Sequence, residues 1–234
     1  MVYKQQHIKM KRILFIVLLL KLNSLHNIAI SQTLNWSTLD STKHILNANF
    51  GLDYSVSYGV GYGYKLNTKL PVVLNANFSM AAGDNMFDDF KTKIGGQVCL
   101  LNKSHFVGSI SLFGIYRNYQ TQLVRLQNFG SDIKGTFGYY KTRWFTAAEV
   151  GFDKAIVLHF KHSQKYRDEI YAEVVDGWYE PATGGNFYYG LQGGYSFKKV
   201  DLTLNLGKVV SQDFKTSPFL PFYLNLGINY RIIK

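Results

Sequence analysis

The chain has 234 residues, a formal charge of +11, 16% aromatic residues, 21 glycines, four prolines and one cysteine, Cys99. So much aromatic and glycine content with so little proline is unusual for a soluble globular domain, and a lone cysteine excludes an intrachain disulfide. The basic residues are scattered, with no basic stripe or aromatic RNA-binding motif, so no nucleic acid is expected as a partner.

Residues 1–31 read as a signal peptide. Basic residues (Lys4, Lys9, Lys11, Arg12) precede the apolar run 13–20, and a polar stretch closes on Ala29, Ile30 and Ser31. The run is shorter than the ~20 residues a transmembrane helix needs, and small residues at 29 and 31 suit a cut after Ser31. Removal also takes Lys21 and no acid, leaving a formal charge of +6 (11 minus 5). Cys99 does not follow the cut, so no lipid anchor is expected. Residues 32–234 then form one domain with no composition break.

Residues 32–43 are polar and aperiodic and predict a short periplasmic lead-in. Residues 46–64 alternate without interruption: even positions from Leu46 to Tyr64, Tyr54 included, are apolar or aromatic, and odd ones are Asn, Gly, Ser or Asp53. A period of two this long means β-structure with one oily face. One strand of that length would span ~60 Å at ~3.3 Å per residue, whereas a membrane strand needs ~9–11 residues, so a hairpin is predicted near residues 51–53.

After a turn at 65–69 the alternation resumes, with Asn75 and Asn77 on the polar side, and residues 82–91 form a loop carrying Asp88 and Asp89. The strand at 92–101 sets Ile94, Val98 and Leu100 against Lys93, Gln97 and Cys99, and 102–105 is a turn. Residues 106–119 alternate less cleanly. Phe113 and Ile115 fall on the side of Ser109, Ser111 and Arg117, which predicts a bulge or an extension beyond a membrane. Residues 120–142 read as a long loop, with an extra strand near 136–140 left open.

Strands follow at 143–152, with Glu149 on the polar face, and at 155–165 after a turn at Asp153-Lys154, with Ile156, Leu158 and Phe160 on the oily side. A long loop at 166–185 precedes strands at 186–197, 200–211 and 222–233, the last with Asn225, Asn229 and Arg231 opposite its oily face. Short turns therefore alternate with long loops. This predicts an all-β, antiparallel up-and-down transmembrane β-barrel of about ten strands, with eight to twelve allowed. A soluble barrel would need charges outside, whereas here the polar face is mostly Asn, Ser, Gly and Gln, which suits a crowded lumen.

The signal peptide, the Gly/Tyr-rich run Tyr58-Gly59-Val60-Gly61-Tyr62-Gly63-Tyr64 and the alternating C-terminal strand resemble small outer-membrane β-barrels of Gram-negative bacteria. The chain departs from that pattern by ending Ile232-Ile233-Lys234 in place of a terminal aromatic residue. The resemblance implies residence in the bacterial outer membrane, contact with outer-membrane lipid and lipopolysaccharide, and insertion by the barrel-assembly machinery. It covers structural and adhesive proteins, small porin-like channels, lipid-modifying enzymes and proteases.

For chemistry, His159, Glu149 and Ser163 are the candidate rim catalytic set, with Glu149 expected on the strand beside His159; the competing reading pairs Glu149 with a lumen cation such as Arg117 or Lys93. His159 and His162 lie three apart, on opposite faces of a strand, and Asp88-Asp89 is one adjacent acidic pair, so no metal site and no cofactor are expected. Gly59, Gly61 and Gly63 lack the following helix that a phosphate site needs. The lumen-facing polar residues are Asn75, Asn77, Lys93, Gln97, Arg117, Glu149, Asn225, Asn229 and Arg231. Trp178 and Tyr179 mark the long loop as a recognition surface for an extracellular ligand. The expected role is structural or interactive, with enzyme activity disfavoured.

Overall fold

A computed structural model describes residues 32–83, 85 and 87–233; the expected signal peptide lies outside the described residues. The strands are β1 (Thr42–Leu52), β2 (Val56–Leu66), β3 (Val72–Ala81), β4 (Asp89–Lys103), β5 (Phe106–Gln120), β6 (Val124–Tyr140), β7 (Trp144–His162), β8 (Gly177–Tyr179), β9 (Gly185–Ser196), β10 (Val200–Ser211) and β11 (Phe222–Ile233), with one helix, α1 (Gln164–Glu169). All but β8 close into a ten-stranded antiparallel up-and-down barrel. Closure joins β1 to β11, with Leu46 opposite Tyr230 and Asn47 opposite Asn229, and leaves the barrel no open edge. The short β8 adds to the overhanging end of β7, beyond the point where β9 stops.

The hairpin predicted at 51–53 forms at residues 53–55, between β1 and β2. An odd loop keeps even residues on one face, but Tyr54 itself departs from the expected outward side and turns in. Its ring lies 4.4 Å from Lys91 Nζ and 4.3 Å from the Arg117 guanidinium.

The barrel has the expected ten strands, but two expected connections are not present. No turn occurs at Asp153-Lys154, because β7 runs unbroken through it, and the supposed loop at 120–142 is mostly β6. A bulge where Phe129-Gly130 faces β7 inserts Ile156 and inverts the phase beyond it. Leu158 and Phe160 therefore point inward and His159 outward, opposite to the expectation. Phe113 and Ile115 need no bulge of their own: they are buried lumen residues, and Lys93 Nζ sits 4.9 Å above the Phe113 ring.

One end of the barrel carries only tight turns, at 67–71, 104–105, 141–143 and 197–199; the other carries the longer connections 82–88, 163–184 and 212–221 together with short turns at 53–55 and 121–123. We call these the turn end and the loop end. Outward side chains form a continuous exposed apolar belt, including Leu46, Val60, Leu74, Ile94, Leu112, Ile133, Val150, Leu191, Leu204, Leu226 and Ile228.

Aromatic rings bound the belt on both sides. Near the turn end Phe106, Phe137, Tyr139 and Trp144 are in mutual contact. Near the loop end a chain of rings runs Phe78–Phe90–Tyr116–Phe129–Trp178, with centroids 5.0 to 5.9 Å apart. Phe106 and Tyr116 lie on the same strand, ten residues apart, so the girdles are ~33 Å apart along β5, or ~25 Å along the axis of a barrel tilted ~40°.

Candidate functional site

Ion pairs line the lumen, three of them between adjacent strands and two reaching farther across it. Lys93 Nζ on β4 lies 2.9 Å from Asp132 on β6, whose other oxygen accepts a 2.7 Å hydrogen bond from Tyr188 on β9. Lys134 Nζ sits 3.1 Å from Glu149, and Tyr223 on β11 donates to the same carboxylate at 2.6 Å. Toward the loop end Lys91 pairs with Asp53, and Arg117 holds Asp89 through both Nε and Nη2 at 2.7 and 2.6 Å. Toward the turn end Arg231 meets Asp201 at 3.1 Å.

Glycines make room for the large groups. A Cβ at Gly151 would strike the Tyr188 ring, and one at Gly190 or Gly207 would strike the Tyr223 hydroxyl. Ionised groups in so narrow a space persist only when paired, and each of these pairs satisfies its own charges within the lumen.

Below the ionic layers, an amide layer receives the N-terminal segment. Residues 32–39, expected outside the barrel, instead fold into its turn end. Gln32 donates to Asn229 at 3.1 Å and accepts from Asn75 at 2.6 Å, while Gln97 reaches its carbonyl at 2.8 Å. Thr33 donates to Asn205, and Asn229 donates back to the Thr33 carbonyl, each at 2.7 Å. Asn35 caps a single 3-10 turn (Trp36–Thr38) and donates to Ser196 and to the Lys141 carbonyl. Leu34, Trp36 and Leu39 then complete a small apolar core with Ile45, Val73, Cys99, Val107, Tyr140 and Phe145. Gly63 is part of the fit, since a Cβ there would meet Gln32 Oε1 at 2.9 Å; the glycine-rich run thus leaves lumen space.

The proposed rim set does not assemble. Glu149 and His159 lie on the same strand, not on neighbours, ten residues or ~33 Å apart, one inward and the other outward. Glu149 takes Lys134 as its cation, neither Arg117 nor Lys93. His159 packs its ring 4.7 Å from Trp178, and Ser163 accepts from Tyr166 N as the N-cap of α1.

The nine residues read as lumen-facing all lie on the lumen face. Asn75, Lys93, Gln97, Arg117, Glu149, Asn225, Asn229 and Arg231 are buried, and Asn77 is half-buried against Gly61. Sequence reasoning missed Lys91, Asp132, Lys134, Asp153, Tyr188 and Tyr223. Tyr188 and Tyr223 shared the phase of Gln192 and Asn225 and could have been found; the others sat in stretches read as loop or turn.

At the loop end, β5, β6, β7 and β8 rise as a wall above the shorter strands. Trp178 and Tyr179 are exposed on β8, Trp178 against Phe129 and Tyr179 edge-on to Phe160 at 5.3 Å. The connection from α1 to β8 is clamped by Asp176. It accepts from His162 N and faces His162 Nδ1, both at 2.8 Å, and Arg167 Nη2 lies 2.9 Å away. These hydrogen bonds, the backbone one first, hold the Asp176 carboxyl well below the usual carboxylate range. Tyr171, Val175, Phe214 and Phe219 are also exposed at this end. No protein-family model matches the chain, and no curated protein resembles it significantly.

Proposed function

We propose that the chain is an integral outer-membrane β-barrel that acts as a structural or interaction protein through its loop end. The observation that carries this reading is the inversion of the barrel: paired charges fill the inside, and an exposed apolar belt of membrane height lies outside, bounded by two aromatic girdles. In water so large an apolar surface would drive aggregation; in lipid it is the required surface. Outer-membrane lipid and lipopolysaccharide are then the belt's solvent, and the barrel-assembly machinery inserts it.

The turn end faces the periplasm and the loop end the exterior, because short turns and long loops segregate in that way. Side chains meeting across the lumen argue against a porin-like role, and the separation of His159 from Glu149 argues against a rim enzyme. What remains for an extracellular ligand is the wall carrying Trp178 and Tyr179 and the clamped loop beside it. Expression in a Gram-negative host tests this: the protein should fractionate with outer membranes and migrate on gels in a heat-modifiable form. Recovery in a detergent-free soluble fraction would overturn it.

A further inference from the structure

Four adjacent strands place Asp132, Asp153, Asn186 and Ser211 side by side on the lumen wall, as direct register partners across β6, β7, β9 and β10. Neighbouring strands stand ~4.8 Å apart, so these side chains share one small space. All four are almost wholly buried. Asp132 is satisfied by Lys93 and Tyr188, whereas its neighbours are not.

Asp153 Oδ1, both heteroatoms of the Asn186 carboxamide and Ser211 Oγ have no hydrogen-bond partner. Among the described residues every other buried lumen carboxylate has its cation: Asp53 has Lys91, Asp132 has Lys93, Glu149 has Lys134 and Asp201 has Arg231. Asp153 has none, and the charge acting on it most strongly is that of Asp132, a like charge. The Asn186 carboxamide faces Asp153 at the edge of hydrogen-bond reach.

We propose that this row is a binding site for one small monovalent cation of the sodium type, held by Asp153, Asn186 and Ser211. The donor set is all oxygen: one carboxylate, one carboxamide carbonyl and one hydroxyl, the hard ligands that hard cations prefer. The charge balance selects the valence. Two carboxylates face one ammonium in this row, so a single positive charge neutralises it, whereas a divalent ion would leave a buried surplus of opposite sign. The site lies inside the lumen and rests on none of the loop-end reading above.

The test uses the full-length protein purified in detergent and melted in sodium chloride or in choline chloride at equal ionic strength. Choline is too large for the site, so wild-type protein should melt ~5 °C lower in choline. Asp153→Asn, which removes the charge and keeps the shape, should melt at the same temperature in both salts. Ser211→Ala, a gentler change that keeps the fold should Asp153→Asn prevent folding, should shrink the sodium effect at least twofold. Equal wild-type melting temperatures in the two salts would overturn the proposal, as would stabilisation by micromolar calcium exceeding that by sodium. Line broadening of sodium-23 resonances by wild type but not by the Ser211→Ala variant provides a readout independent of stability.

Discussion

Glu149 illustrates how the lumen tolerates ionised groups: Lys134 supplies a charge, Tyr223 supplies a proton donor, and the two come from different sides of the barrel. Truncating one member strands the others in a medium that cannot hydrate them. Glu149→Ala should therefore cost about 3–5 kcal/mol, read as a shifted midpoint in urea titrations of the heat-modifiable band. Ser163→Ala, at the rim, removes only a helix cap and should cost about 1 kcal/mol. Asp176 sets a pH dependence of known sign. Its carboxyl titrates lower when folded than when unfolded, so its contribution is complete above the ordinary carboxylate range and vanishes as pH falls through the folded value. The α1–β8 loop should accordingly resist protease at neutral pH and open only in acid well below pH ~4, whereas Asp176→Asn should open it at neutral pH.

At the level of elements, the strands bordered by an uninterrupted oily face were legible, and β1, β2, β3, β9, β10 and β11 follow the alternation directly. Alternation reports contrast between faces, however, and β6 has little of it in its middle: Asp132 and Lys134 alternate with Ser131, Ile133 and Gly135 and look like loop residues until Lys93 and Glu149 arrive from other strands. The bulge at Ile156 was equally silent, since one inserted residue changes the phase without changing the composition. That single residue turns His159 away from the lumen, while the catalytic set fails already because no turn at 153–154 brings Glu149 back beside it. The β4–β5 turn shows a different tension: Ser104 and His105 both take positive φ, 51° and 72°, where glycine or asparagine is favoured. His105→Gly should raise stability by about 0.5–1 kcal/mol, measured by the same urea titration, because it relieves the left-handed strain at an exposed site.

Over the molecule as a whole, two layers fill the lumen, the ionic pairs and residues 32–39. The two layers meet at Arg231, which pairs with Asp201 and donates to the Thr38 carbonyl at 3.2 Å. The pairs of Lys91, Lys93, Arg117 and Lys134 stand apart from the segment, so deletion of 32–39 with residues 1–31 kept should lower thermal stability without producing a discrete conductance in planar bilayers. A stepwise conductance in that variant would show that the ionic layers do not seal the lumen. The same segment carries information about assembly order. Its hydrogen-bond partners include residues on β2, β3, β4, β6, β9, β10 and β11, and those made with Asn205 and Asn229 on β10 and β11 are separated from it by 172 to 197 positions. No open sheet presents them together. The first described residues of the chain can therefore take their place only after β11 has paired with β1, and their docking marks a finished barrel. Exchange protection of the Gln32 and Asn229 side-chain amides would time that last event.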